Sequence, residues 1–349
     1  MSARGEADRN SSRPATIYDV ARKAGVSHQT VTRFLAGFEG IRPATRDRVV
    51  GALEELHYRP NLTARSLKSG RSMRIGAISH DLTQVGPSRI AQAASDAARR
   101  EGMVLDLVSV DTRDPSAIQA GVDALVQHSL AGVLVLVSTD EMNAVLHAAE
   151  FRAPVFFASD SEATASDLEA RSSGIPAVVD HLRRLGHTRF AHVGGPQNWP
   201  AARLRDRIFE DAVVGSAGQL VARAYGDWSA ESGHRAVAES GDLGGATALF
   251  AANDQMALGS ILALKRRGLR VPEDISVVGM DDIPEAAYMD PPLTTLHVDY
   301  ASLGERSVRD LLAMSAGRSL EPRPLAVPRL VVRESTFPPA DRGGGKANR

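Results

Sequence analysis

The stretch TIYDVARKAGVSHQTVTRFLAG, residues 16–37, decides how this chain is read. Thr16 is a helix-capping residue and Asp19 follows three positions later, so a helix over Ile17–Ala24 can open on a capping box. Gly25 supplies a tight turn, Val26 packs inward, and Ser27 can cap a second helix from His28 to about Leu35. Val20, Ala21, Ala24, Val26, Val31, Phe34 and Leu35 recur at helical spacing and can close a small core. His28, Gln29, Thr32 and Arg33 are then left facing outward. A third helix is expected from Pro43 to Leu56, with Val49, Val50, Leu53 and Leu56 on its inner face. Two short helices across a glycine turn, backed by a third, make a helix-turn-helix, which presents its second helix to the major groove of DNA.

Charge agrees with that reading. Residues 1–71 hold 13 Lys and Arg against 7 Asp and Glu, a net of +6, whereas the rest of the chain carries −7. A basic head on an acidic body suits a small polyanion-binding module joined to a larger domain, although a solvated head would carry charge too. The whole is 349 residues, 43% hydrophobic, 24% charged and 5% aromatic, enough for two or three domains with ample core. Its longest apolar run, Leu130–Val137, falls far short of the roughly 20 residues that span a bilayer. Residues 1–13 are polar and give no secretory signal, and with no cysteine there is neither disulfide nor thiolate chemistry. A reducing cytoplasm is the expected location.

From Met73 onward short apolar runs alternate with helix-length segments. Strands are expected at 74–79, 104–110, 132–137, 154–158, 190–194, 220–224, 247–251, 275–279 and 293–297. Helices are expected at 88–101, 117–128, 175–185 and 255–267 among others. Strands separated by helices mean parallel sheets with both faces covered, and nine strands favour two lobes over one sheet.

The head resembles the LacI-type family of bacterial transcription regulators, and so does GALEELHYRPNLTARSLKSGRS at 51–72. The likeness continues through AARLR at 201–205, YGDWSAESG at 225–233, FAANDQMALGSILAL at 250–264, RVPEDISVVGMDD at 270–282 and PPLTTLHVD at 291–299. It runs over about residues 16–335. The resemblance implies a small all-α helix-turn-helix head plus an α/β two-lobed core like the type I periplasmic sugar-binding proteins. The expected division is a tail at 1–15, the head at 16–59, a hinge helix or linker at 60–72, the core at 73–335 and a disordered tail at 336–349. Within the core the N-lobe would take 73–170 and 299–318, and the C-lobe 171–298 and 319–335.

The resemblance also implies roles. His28, Gln29 and Arg33 fall where the family reads base edges, which fits the bidentate pairing of Gln with adenine and Arg with guanine. Thr16, Tyr18, Ser27, Thr30 and Thr32 suit caps and phosphate contacts that position the helix. In RPNLTARSLKSGRS, Asn61 can cap a short helix with Ala64 and Leu67 on one face, and Leu67 matches the family's minor-groove wedge. Without the resemblance this segment reads equally well as a linker with one incidental leucine.

Ligands of doubly wound folds lie at the carboxyl ends of the strands, where Arg203, Arg205, Trp228, Asn253, Asp254, Asp281 and Asp282 are expected to gather. An Arg fork, an amide and a carboxylate can share sugar hydroxyls while an indole covers the ring face. The positions matching Arg205, Trp228, Asn253 and Asp281 contact the family's effector; Asp254 is expected to cap a helix instead. In the other lobe the chain departs from the galactoside-binding pattern. VFFASDS puts Ser159 where the family strand FLD ends in aspartate, with Asp160 next to it. Val298 replaces a glutamine, Tyr300 a phenylalanine, and Glu169 falls about where the family has another pocket aromatic.

No nucleophile elbow, helical metal-binding pair or complete phosphate loop is present, so neither an enzyme nor a cofactor is expected. His187 and His192 are wrongly placed for a helical metal pair. The expectation is a homodimeric repressor on pseudo-palindromic double-stranded operator DNA, released by a small carbohydrate, galactoside-like, and without membrane contact. The alternatives are a purine- or phosphosugar-responsive relative and a sugar-binding protein without a regulatory role. FPPADRGGGKANR, residues 337–349, cannot form a tetramer-making coiled coil.

Overall fold

The computed structural model describes residues 15–35, 37–59, 72–112, 114–136, 139–158, 172–320 and 326–340, in two units divided at Ser72. The head comprises α1 (Ile17–Ala24), α2 (His28–Leu35) and α3 (Pro43–Glu55). The capping box forms: the Thr16 N–H donates to Asp19 Oδ2 at 2.9 Å and the Asp19 N–H returns to Thr16 Oγ1 at 3.4 Å. Gly25 adopts a φ of 62° and its N–H reaches back to the α1 carbonyls, a left-handed stop that a side chain would strain. Val20, Ala21, Ala24 and Val31 are buried against Val49 and Ala52 of α3. Val50, expected inside, is instead exposed on α3, whose inner stripe runs through Val49, Ala52, Leu53 and Leu56.

The core has two sheets. The N-lobe sheet contains β1 (Arg74–Ser79), β2 (Val104–Ser109), β3 (Gly132–Val135) and β4 (Val155–Phe157), parallel and in the order β2-β1-β3-β4. The C-lobe sheet contains β5 (Arg189–Gly194), β6 (Gln219–Tyr225), β7 (Ala248–Ala251), β8 (Ser276–Asp281), β9 (Thr294–His297) and β10 (Arg329–Val331). Its order is β10-β9-β8-β7-β5-β6, with only β10 antiparallel. Central strands are apolar on both faces, as helix-covered parallel sheets require: every residue of β3, β7 and β8 is buried. The helices between them are α4 (Val85–Arg100), α5 (Pro115–Val126), α6 (Asp140–Ala148), α7 (Ile175–Arg184), α8 (Pro200–Gly215), α9 (Ala230–Glu239) and α10 (Asp254–Arg266). After β9 the chain returns to the N-lobe as α11 (Tyr300–Ser315), which lies on α4. Gly304 permits that approach, because a Cβ there would stand 2.5 Å from the Ile90 carbonyl oxygen.

The C-terminal boundary expected at 336 is too early. Ser335–Phe337 form a strap on the C-lobe: the Ser335 hydroxyl donates to Val277 O at 2.6 Å, and the Phe337 N–H donates to Ser276 Oγ. His187 Nε2 donates to Phe337 O at 2.9 Å while its Nδ1 accepts from the Thr247 hydroxyl, an arrangement that needs the neutral ring. His181 Nε2 lies 3.0 Å from Thr336 Oγ1. Burial lowers both histidines from their ordinary 6.5, with Arg184 adding to the effect at His181 and His181 at His187, against the Phe337 carbonyl. A base whose folded pKa is depressed contributes stability above its unfolded value and loses it as pH falls through the lowered one. The thermal midpoint should therefore drop as pH is taken from about 7.5 to about 5, and His187→Gln should flatten that dependence in differential scanning calorimetry.

Candidate functional site

On the head, Tyr18, Ser27, His28, Gln29 and Arg33 are exposed, and Thr16, Thr30 and Thr32 are half-buried. The Ser27 hydroxyl accepts from the Thr30 N–H at 3.2 Å, and that of Thr32 donates to His28 O at 2.9 Å, so both first serve the helix. The Tyr18 ring lies 5.2 Å from that of His28, and the Arg33 guanidinium sits 5.7 Å from the centre of Phe38. One face of α2 thus carries an amide, an imidazole and a guanidinium with a hydroxyl rim. Asn61, Ala64 and Leu67 lie outside the described residues.

In the core, β5, β6, β7 and β8 end on one side and lead directly into Gly195, Trp228, Asn253 and Asp281. Trp228, Asn253 and Asp281, with Arg205 on α8, Gln84, Gly86 and Pro87 of the N-lobe and Tyr300 at the start of α11, line a cleft of about 530 Å³, its open mouth included. The Trp228 indole is 94% buried, at 6% exposure, and a side chain at Gly195 would collide with it. Arg205 stacks 5.3 Å from the indole centre and donates to Ala252 O at 2.6 Å. The Trp228 Nε1 and Arg205 Nε donors are buried without a hydrogen-bond partner. Asp281 Oδ1 accepts from the Tyr300 hydroxyl at 2.6 Å.

Backbone strain concentrates here. Trp228 has a φ of 74°, Asp281 of 115° and Asp282 of 53°. Such conformations cost on the order of 1–3 kcal/mol each in non-glycine residues and persist only where surrounding bonds enforce them. Asp281 and Asp282 part company accordingly: Asp282 pairs with Arg333 at 2.7 Å and His297 at 3.0 Å. Burial would raise the Asp282 carboxyl, but Arg333 and His297 outweigh it and hold the group below the usual carboxylate range.

Two expectations change. Asp254 is not the helix cap. Asn253 caps α10, its Oδ1 accepting from the Met256 N–H at 2.8 Å, while its Nδ2 donates to Trp228 O at 2.9 Å and Gln255 Oε1 at 3.2 Å. Its amide is thus committed to the fold as well as lining the cleft. Asp254, wholly buried, accepts from Thr295 and from the Ile283 N–H. Burial first, then the neighbouring Asp281, pushes its carboxyl well above the ordinary range. Val298 packs into the apolar core, outside the cleft lining. Ser159, Asp160 and Glu169 fall outside the described residues.

The sequence pattern missed several participants. Trp199, at the entry to α8, lines the cleft beside Trp228. Arg203 was expected near the ligand but forms a bidentate pair with Asp140 of the other lobe at 2.6 and 3.0 Å. Arg89 spans the lobes as well, donating to Asp281 O at 3.4 Å. His187 and His192 hold structure: His192 Nδ1 donates to Phe250 O and its Nε2 faces Asp206 at 2.6 Å. No cluster of metal-binding residues occurs among the described residues, and no helix among them is long and apolar enough to cross a membrane.

A helix-turn-helix with an open polar helix face, on the same chain as a two-lobed core with a cleft at the strand ends, defines a ligand-responsive DNA-binding regulator. The comparisons place it more closely. Residues 16–61 match the family of bacterial regulatory proteins of the lacI type, and 179–336 match the periplasmic binding protein-like domain. The lactose operon repressor of Escherichia coli (strain K12) is 35% identical over 331 residues, covering 94% of this chain and 92% of that protein. The repressor PurR of Klebsiella pneumoniae (strain 342) is 31% identical over 338 residues, covering 92% and 96%. The crystal structure of the lac repressor dimer bound to operator and the anti-inducer ONPF superposes with a TM-score of 0.80 at 34% identity, over 93% of this chain and 100% of that one. The chain belongs to the LacI family and is a DNA-binding transcriptional regulator with a ligand-binding core.

Because Asn253 both caps α10 and ties down the Trp228 loop, Asn253→Ala should cost about 0.5–2 kcal/mol of core stability, the usual range for a lost cap. Intrinsic fluorescence should also shift to the red as the indole becomes wetter. Unchanged emission with lowered stability would leave Asn253 as a cap alone.

Proposed function

We propose that this regulator is a dimeric repressor, held on a pseudo-palindromic operator and released when a small carbohydrate enters the cleft. The observation that carries the carbohydrate reading is the pairing of a buried indole face with two unpartnered donors, Trp228 Nε1 and Arg205 Nε, beside the Asp281–Tyr300 pair. A pyranose has just that split character, with apolar C–H faces and a rim of hydroxyls. Arg205 and Asp281 meet hydroxyls, Trp228 covers the ring, and Asn253 holds the loop while offering its edge. A purine-responsive relative is the rival, since PurR is also similar. The charged pair set around hydroxyl-sized contacts favours the sugar. Ser159 stands where the galactoside-binding pattern has a carboxylate, a loss of hydrogen bonding and of bulk that favours a galactoside or related glycoside with an altered or larger substituent; Val298, the other residue expected to make room, packs in the core.

On the DNA side, His28, Gln29 and Arg33 read base edges, and Thr16, Tyr18, Ser27, Thr30 and Thr32 contact phosphate. Asn61, Ala64 and Leu67 belong to a hinge that wedges the minor groove. The exposed Leu258 and Leu262 on α10 and Tyr288 beyond β8 suit the dimer contact. Effector and operator then weaken each other's binding by the same factor, because both act through one equilibrium between two states.

Arg33→Ala should cost about 1–3 kcal/mol at a specific operator and little on random DNA, read by fluorescence anisotropy at fixed salt. Equal losses on both would make Arg33 a phosphate contact. Asp281→Asn and Arg205→Ala should still bind operator but fail to release when a panel of mono- and disaccharides is titrated. Removing either partner of a buried polar contact costs roughly 1–3 kcal/mol of ligand affinity. Tight binding of a purine, or normal induction of Asp281→Asn by sugar, would sink the assignment, and sedimentation equilibrium checks the dimer.

A further inference from the structure

Arg205 and Asp206 are neighbours on α8, so their side chains diverge by about 100° around the helix. Arg205 turns to the cleft, where it stacks on Trp228 and donates to Ala252 O. Asp206 turns to the sheet under α8 and meets a buried histidine there. The ring of His192, on β5, stacks on that of Phe250 at 5.3 Å and 8°, and lies 5.0 Å from that of Phe209. Its Nδ1 donates to Phe250 O at 2.9 Å, and its Nε2 stands 2.6 Å from Asp206 Oδ1. A carbonyl at one ring nitrogen and a carboxyl at the other leave two choices: an imidazolium facing a carboxylate, or a neutral ring facing a protonated acid. Burial would raise the Asp206 carboxyl, but His192, with Arg223 and Tyr225 of β6 behind it, outweighs burial and holds the group below the usual carboxylate range. The pair is ionic.

Around it Phe190, Phe209 and Phe250 form one apolar cluster. Stability alone does not call for charge in such a place. Two ions taken out of water lose hydration that their attraction only about repays, and apolar side chains of similar volume are commonly as stable. What an ion pair adds is direction, since it is satisfied at one setting of the helix on the strand. The sequence makes room for it: a Cβ at Gly194 would stand 2.6 Å from Asp206 Oδ1. The other carboxylate oxygen takes a long bond from the Gln197 amide at 3.5 Å, and that amide also donates to Gly195 O at 3.3 Å. Gly195 is the residue against which the Trp228 indole packs. The pair thus touches both sides of the seat of Arg205: the helix that carries it, and the loop behind the indole on which it stacks.

We propose that His192 and Asp206 are positioning residues for the effector, a buried ion pair that sets the rotation of α8 on β5 and so aims Arg205 into the cleft. This rests on Arg205 being an effector contact, as in the function proposed above. Apolar contacts would hold α8 on the sheet but tolerate a small turn of the helix. Such a turn carries the guanidinium off both the indole and the Ala252 carbonyl.

Two variants separate aim from stability. His192→Leu combined with Asp206→Ala replaces the pair by apolar side chains of similar volume. Asp206→Asn keeps a polar contact to a neutral ring and removes the charge. The full chain on its operator is titrated with methyl β-galactoside, methyl β-glucoside, lactose and cellobiose, with release followed by anisotropy. The thermal midpoint and the fluorescence of the ligand-free protein are measured beside it. The double variant should keep native operator affinity and a midpoint near the native one. It should nevertheless need about tenfold more of whichever probe releases the native protein, the effect of losing one contact to a charged group. Its ligand-free emission should move as that of Arg205→Ala does, because the cation leaves the indole face. Asp206→Asn should retain native emission and most of the native response. If the double variant does not fold, His192→Gln, which can serve Phe250 O or Asp206 but not both, takes its place with the same expected shifts. Native emission and native response in the folded double variant would overturn the inference, as would a response lost only in proportion to a lowered midpoint. Release of the native protein by none of the four probes would count against the carbohydrate, and the ligand-free emission then decides the aim of Arg205 by itself.

Discussion

The hydrogen bond from Asn253 Nδ2 to the Trp228 carbonyl oxygen, 2.9 Å long and buried, holds the C-lobe wall of the cleft. Trp228 sits in a left-handed conformation that a bulky side chain avoids, and the loop after β6 would relax without a tie at that carbonyl. Asn253 supplies the tie while its other end caps α10. One short side chain thus joins the ends of two neighbouring segments, and through the stacked indole it fixes Arg205. The glycines complete the arrangement by absence of bulk: Gly195 lets the indole lie flat on the β5 loop, and Gly279 leaves room for the Asp254 carboxyl.

Beneath that wall lies a tight knot of acids. Burial raises the Asp254 carboxyl most, and the nearby Asp281 and Asp282 raise it further. Its partners Thr295 and Ile283 donate to it, which opposes the shift. The three carboxyls do not behave as one site. Asp282 is neutralised by Arg333 and His297, Asp281 takes the Tyr300 hydroxyl, and Asp254 is left with the burial penalty. Of the three, Asp281 is the one that lines the cleft.

Much of this was legible in the sequence. The capping box at Thr16 and Asp19, the glycine stop at Gly25 and the apolar spacing fixed the head helices, because local rules there act without competition. The nine expected strands appear within a residue or two of their places, since buried parallel strands write continuous apolar runs. β10 was not anticipated: three residues, half exposed, antiparallel at an edge, leave almost no pattern. The strap at Ser335–Phe337 was hidden for a related reason, as its order comes from side chains distant in sequence, His181, His187 and Ser276. At the site, Arg205, Trp228, Asn253, Asp281 and Tyr300 were foreseen from strand ends and likeness. Which atoms of Asn253 were already engaged was not, and Trp199 carried only one local sign, an indole where a cap belongs.

The inter-lobe contacts decide how a ligand can act. Arg203 and Asp140 are each close to half exposed, at 44% and 49%, and a pair so placed is worth about 1 kcal/mol or less. The Arg89 bonds to the Asp281 and Asp282 carbonyls are long, at 3.4 and 3.5 Å. Neither contact is strong enough to lock the lobes. Tyr300 begins the helix that returns to the N-lobe, yet its hydroxyl donates to Asp281 on the C-lobe. A ligand that competes for Asp281 changes a bond between lobes as well as a bond to itself, and that difference is what a population shift requires.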